Sequence, residues 1–232
     1  MLLGPMIIGV VFMLISMAVS SKLKNKFKEY SQIHLTKDLT GAEVARRMLN
    51  DNGIHDVSVI SVEGQLTDHY NPFDKTVNLS TDVYHGRNAA ATAVAAHECG
   101  HAVQHAKSYS MLKLRSVLAP VQSISANIMN VVSIALIFGG AFIHNFWPTA
   151  ILLIIACNVA FTVFALVTLP VEFDASNRAL AWVEARGIVT RSEHDMAKDA
   201  LKWAAMTYVV AALAAIANLA YWVMLFLGRN RE

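Results

Sequence analysis

His97, Glu98, Cys99, Gly100 and His101 form an H-E-x-x-H run inside an Ala-rich, Pro-free stretch. On a helix, residues i and i+4 lie one turn apart on one face, so both imidazoles reach a common metal ion. Glu98, about 100° round the helix from His97, is placed to address a water bound to that metal. The pattern is a signature of zinc-dependent peptide-bond hydrolysis. Two histidines and a glutamate on an apolar helix would be costly unless something paired with them, which again favours a metal. Cys99 lies about 200° round the helix from His97 and should face away from the ion. Cys99 and Cys157 read as buried small residues rather than as a disulfide or zinc ligands.

Catalytic zinc takes three protein ligands and keeps a position for water. His105 continues the spacing of four, but on a straight helix it stands about 12 Å from His97 along the axis, too far to share an ion. A metzincin would need glycine and histidine at the positions held by Gln104 and Lys107. Glu172 is the strongest candidate. It follows Pro170 at the end of an apolar run, and two apolar spans separate it from His101, so both return to the same side of a membrane. Asp174 is the runner-up. Asp174, Ser176 and Asn177 are also candidates to receive an imidazole N–H. Arg178, His194 and Tyr84 are candidates to stabilise an oxyanion. Thr76–Ser80 is the candidate edge strand against which an extended peptide would lie.

The elements that must position these residues include four apolar runs long enough to span a bilayer: about Leu2–Ser20, Ala119–Phe142, Thr149–Leu169 (closed by Pro170) and Ala204–Leu227. The composition agrees: 55% of the 232 residues are hydrophobic and 16% are charged, against about 25% charged in soluble domains. A net charge of +2 gives no case for nucleic-acid binding. Residues 2–20 read as a retained anchor rather than a signal peptide, because the basic cluster Lys22, Lys24, Lys26 and Lys28 follows the apolar run.

Segment 21–118 carries 12 Lys/Arg, segment 170–203 carries 5 and the tail carries 2. The positive-inside rule places the two basic segments in the cytoplasm and both termini outside. Arg229 and Arg231 argue mildly against that, so the fourth span is open to a re-entrant or interfacial reading. Gln122, Asn127 and Asn130 in the second span raise a transporter reading, but no Asp, Glu, Lys or Arg occupies a span core.

Between the spans, Thr40 and Glu43 form a capping box for a helix carrying Val44, Met48 and Leu49. Val57–Val62 and about Lys75–Ser80 read as strands, and Asn88–Ala106 as the motif helix. Val171–Arg186 reads as a helix ending at Gly187. Thr190 and Glu193 open another that runs toward the fourth span. The resulting scheme is 1–21 anchor, 22–116 segment bearing the motif helix, 117–170 membrane hairpin, 171–203 helices with the third ligand, and 204–232 fourth span and tail.

The runs Thr40–Arg47, Gln65–Tyr70, Ala95–Ala102 and Leu169–Ser176 together resemble the bacterial membrane-bound neutral zinc metallopeptidases of the YugP-like family, over most of the chain from about residue 35. More distantly, Glu172-Phe-Asp-Ala175-Ser176 is similar to the E-x-x-A-D run of gluzincin membrane proteases, with Ser176 where that pattern has Asp. The resemblance implies a mainly α fold: multi-span membrane helices with a small α+β zincin-like cytoplasmic portion. It implies a metalloendopeptidase of the bacterial inner membrane, with one Zn²⁺ held by His97, His101 and Glu172 and with Glu98 as general base. Expected partners are the lipid bilayer and a peptide or membrane-protein substrate. A zinc-stabilised membrane scaffold without turnover is the alternative.

Overall fold

A computed structural model describes residues 3–138 and 147–229. The end of the second expected span (139–142), the turn after it and Arg231 lie outside the described residues. The elements are α1 (Leu3–Ser31), α2 (Gly41–Asp51), β1 (Ser58–Val62), β2 (His69–Asn71), β3 (Thr76–Ser80), α3 (Thr81–His85), α4 (Ala89–Ala106), α5 (Ser110–Phe138), α6 (Trp147–Ala185) and α7 (Arg191–Arg229). The chain is thus mainly helical with one small sheet. Among the described residues, four helices, α1, α5, α6 and α7, are long and apolar enough to cross a membrane.

The chain divides into two compact units. The first comprises 1–17, 113–169 and 208–232. Its core is Ile151 and Ile154 against Trp222, with Met129, Leu136 and Leu225 around them. The second comprises 18–112 and 170–207 and contains the sheet, α2, α3 and α4. Its core sets Val44, Ala45, Met48 and Leu49 of α2 against Ala95, Cys99, Ala102 and Val103 of α4, and includes Ala179 and Val183 of α6.

Local chemistry accounts for the element ends in the second unit. The Thr40 hydroxyl accepts from the Glu43 N–H (3.1 Å) while the Glu43 carboxylate accepts from the Thr40 N–H (2.8 Å), closing the expected capping box. Asn88 caps α4, its side-chain oxygen accepting from the Ala91 N–H at 2.8 Å. Thr190 and Glu193 cap α7 in the same way, and Glu193 also accepts from the N–H and hydroxyl of Thr36 at 2.7 and 2.8 Å.

Two expectations are corrected here. Pro170 does not close a helix: α6 runs through it from Trp147 to Ala185. A proline removes one helical N–H and crowds one carbonyl, at about 3 kcal/mol. The seam Val171, Ala175, Ala179, Val183, at spacing i+4 and buried throughout, offsets that by packing. Thr76–Ser80 is not an edge. The sheet order is β1-β3-β2, with β1 parallel and β2 antiparallel to β3, so β3 is central and buried. The edges are β1 and the three-residue β2.

Candidate metal centre

All residues of the centre belong to the second unit. His97, Glu98 and His101 lie on α4, and Glu172 lies on α6 three residues before Ala175. Gly100 sets how closely these two helices pass. A Cβ placed there would stand 2.5 Å from the carbonyl oxygen of Ala175 and 3.0 Å from its carbonyl carbon and Cα. Backbone on both sides has no rotamer with which to yield. Gly100→Ala is therefore expected to push α6 away from the ligand helix, costing about 1–3 kcal/mol of stability and lowering zinc content. Thermal unfolding and metal analysis of the purified variant check this, and a wild-type zinc content would count against the role given to Gly100.

Nε2 of His97 stands 3.3 Å from Oε2 of Glu172, and Nε2 of His101 stands 3.6 Å from the same oxygen. One donor atom from each residue lies within 4.8 Å of the other two. Ligand atoms about 2.0–2.2 Å from a tetrahedral zinc ion are separated by roughly 3.3 Å, so the spacing suits one ion. Two nitrogens and one carboxylate oxygen are a borderline donor set that zinc accepts. The triad is enclosed: Glu172 is 2% exposed and His101 is 9% exposed.

The groups behind the ligands fix which ring nitrogen faces inward. Gln104, fully buried, donates its amide nitrogen to the carbonyl of Val171 (2.7 Å) and to Asp174 (2.8 Å). Its amide oxygen therefore faces Nδ1 of His101 at 3.1 Å and must accept from it. Nδ1 carries the hydrogen, and the Nε2 lone pair points at Glu172. Ser176 Oγ stands 3.1 Å from Nδ1 of His97, a contact in which either atom can donate. Two imidazole nitrogens and a carboxylate oxygen thus converge on one space, an arrangement that suits a cation between them. Burial pushes the His101 imidazole pKa down, but contact with Glu172 and the charges of Glu98 and Glu172 outweigh it, so the pKa stands above its ordinary value. A metal ion must displace that proton, so metal affinity falls as pH falls.

Glu98 is itself buried, 9% exposed, and points to the sheet rather than into the triad. One of its oxygens accepts from the backbone N–H of Tyr70 at 3.0 Å, on the edge of β2 away from β3. Two residues earlier, Asp68 accepts from the N–H (2.7 Å) and hydroxyl (3.1 Å) of Ser80, tying the start of β2 to the end of β3. Burial, with the Glu98 charge adding to it, holds the Asp68 carboxyl above the usual range despite these bonds. His105 is no ligand: its Nδ1 meets the Tyr70 hydroxyl at 2.8 Å.

The structure brings together His97, Glu98, His101, Glu172, Asp174 and Ser176. Asp174 reaches His101 through Gln104 instead of directly, correcting its expected contact with an imidazole. Arg178 donates from Nε to Asp174 at 2.6 Å and lies over the Tyr109 ring, so it orients Asp174. Asn177 is exposed. Tyr84 accepts from Arg46 at 2.6 Å, and His194 lies 3.9 Å from Glu184, so both are engaged by partners other than the triad. Cys99 turns away, its thiol 3.5 Å from the Ala45 carbonyl, and burial pushes it up. Sequence reasoning missed Gln104 and the Tyr70 N–H. Only the position of Gln104, three residues after His101 and so on its face of the helix, could have signalled it.

Comparison with known proteins agrees with this geometry. Residues 5–227 match the family described as "Putative neutral zinc metallopeptidase". The chain is also 41% identical over 211 residues, 91% of each protein, to a Bacillus subtilis (strain 168) protein named "Putative membrane protease YugP". No solved structure matches it. With three donors that could hold one ion and a match spanning nearly its whole length, the chain belongs to this neutral zinc metallopeptidase family.

Proposed function

We infer that this protein is a membrane-bound zinc endopeptidase of gluzincin type, with His97, His101 and Glu172 as ligands and Glu98 as general base. The observation that carries the reading is the meeting of three donor atoms within 4.8 Å of one another, beside a carboxylate held outside that set. Zinc bound there would polarise the scissile carbonyl and bring the pKa of a bound water toward ~7. Glu98, with one oxygen fixed by Tyr70, presents the other to take the proton of the attacking water and return it to the leaving nitrogen. Gln104 holds the His101 imidazole in the tautomer that keeps its Nε2 lone pair directed inward, and Ser176 steadies the His97 ring through Nδ1.

The substrate backbone would lie extended against β2 rather than β3. The Tyr70 N–H, on the outer edge of β2, is taken by Glu98, so this edge lies beside the general base and a peptide there would meet the Tyr70 carbonyl. The excess of Lys and Arg in 21–118 and 170–203 supports a cytoplasmic site in a multi-pass protein of the bacterial inner membrane, with membrane proteins or their juxtamembrane segments as substrates.

Among the described residues only three protein donors gather at the centre, which favours turnover over a zinc-stabilised scaffold with a closed four-ligand shell. The test is metal removal. Detergent-solubilised protein is expected to cleave an unstructured protein substrate, to stop on removal of zinc by a chelator, and to recover on adding zinc back. Cleavage that persists in metal-free protein would defeat the reading.

A further inference from the structure

Tyr70 meets the motif helix at two points. Its backbone N–H donates to Glu98 at 3.0 Å, and its hydroxyl lies 2.8 Å from Nδ1 of His105. Glu98 and His105 are seven residues apart on α4, so they share one face and stand about 10 Å apart along the axis. One tyrosine therefore bridges about two turns of the helix, its backbone at Glu98 and its ring tip at His105. The two rings also touch, with centroids 5.9 Å apart and planes inclined at 52°. All three residues lie in the second unit.

The bridge matters because little else holds this carboxylate. A glutamate side chain turns about several bonds, and among the described residues the Tyr70 N–H is the one donor that reaches Glu98. That N–H is placed only as well as β2 is placed. The strand is three residues long and pairs with β3 on one side. Side chains alternate along a strand, so His69 and Asn71 point to the face opposite Tyr70. His69 meets the Thr67 carbonyl at 2.7 Å, and Asn71 donates to Asp74 at 2.8 Å. Tyr70 is thus the β2 side chain whose polar end reaches α4. His105, at the other end of the bridge, is exposed and adds nothing to the buried core.

We propose that His105 is a positioning residue of the peptidase: through the Tyr70 hydroxyl it fixes the β2 N–H that aims the Glu98 carboxylate at the attacking water. The proposal rests on the peptidase reading and deepens it, since His105 acts through the base and not on the ion.

The test compares zinc-loaded, full-length protein in micelles as wild type, His105→Ala, His105→Asn, Tyr70→Phe and the Tyr70→Phe/His105→Ala double variant. Steady-state cleavage of an unstructured protein substrate and zinc content are measured on each. His105→Ala and Tyr70→Phe are each expected to lower kcat about tenfold, the scale of one hydrogen bond, with KM within about twofold and zinc content unchanged. The double variant is expected to lose no more than either single, because both remove the same contact. His105→Asn, whose amide can stand where Nδ1 stood, is expected to recover most of the rate. NMR of protein isotopically labelled at its six tyrosines gives a readout independent of turnover. The Tyr70 amide signal, assigned by its loss in Tyr70→Phe, is expected to move in His105→Ala toward its position in Glu98→Gln, and to return in His105→Asn.

A kcat within about twofold of wild type in both single variants overturns the proposal and leaves the peptidase reading standing. So does a rate loss that tracks zinc content or KM, full additivity in the double variant, or a Tyr70 amide that ignores His105. Should His105→Ala fail to fold, Tyr70→Phe, which removes a single oxygen, carries the same kinetic test. Wild-type protein that never cleaves, even with the Tyr70 amide responding to His105, defeats the peptidase reading and with it the role built on it.

Discussion

Glu98→Gln protein is expected to keep its zinc and to lose about 10²–10⁴-fold in cleavage rate, the contribution of a positioned general base. The two properties separate because Glu98 lies outside the ligand triad. His97, His101 and Glu172 converge on one point, whereas Glu98 is held toward the sheet by the Tyr70 N–H. Glutamine keeps an oxygen that can accept from that N–H, so the fold around the motif should survive. What it removes is the carboxylate that takes a proton. Zinc content, by elemental analysis, and cleavage of an unstructured protein substrate are measured on the same preparation. Loss of zinc together with activity would move Glu98 into the metal shell, and full activity would remove its role as base.

Glu172→Ala is expected to have the other large effect, on the metal itself. Zinc sites with four ligands bind with roughly 10–16 kcal/mol, about 3 kcal/mol per ligand, so losing one ligand costs a hundredfold or more in affinity. The loss is not compensated locally, because Asp174, the nearest acid in sequence, is engaged by Gln104 and Arg178. The helices should nonetheless remain, since the two imidazoles left behind are held from the rear by Gln104 and Ser176. Zinc titration and far-ultraviolet circular dichroism distinguish the cases: native helicity with weak zinc binding is expected. Wild-type affinity in Glu172→Ala protein would show that another residue is the third ligand.

What the sequence made legible about this centre was the part encoded by residue type and helical spacing. His97 and His101 at i,i+4 could meet an ion on one helix face, and Glu172 was reachable because an even number of apolar runs intervenes. Helix rise alone separated His105 from the ligands, and the structure gives it to Tyr70 instead. The capping boxes at Thr40 and Thr190 are contacts within one turn and were equally readable.

What depended on distant partners was not readable. Gln104 has three hydrogen-bonding neighbours, two of them on α6, and nothing in its own neighbourhood in sequence names them. β2 is three residues long, too short for an alternating pattern, and its place on the outside of the sheet is a long-range fact that reversed the reading of Thr76–Ser80. Pro170 misled because local geometry argues for a helix end, while the buried seam from Val171 to Val183 holds α6 together.

The proposed centre has one zinc ion held by His97, His101 and Glu172 and untouched by Glu98. X-ray absorption at the zinc edge of the full-length Glu98→Gln protein, with metal content per chain, tests it most directly. The expected result is one zinc per chain, with two imidazole nitrogens, oxygen for the remaining ligands, no sulfur, and a spectrum matching wild type. A sulfur ligand, a third imidazole, or a coordination shell altered by the loss of the Glu98 carboxylate would contradict it.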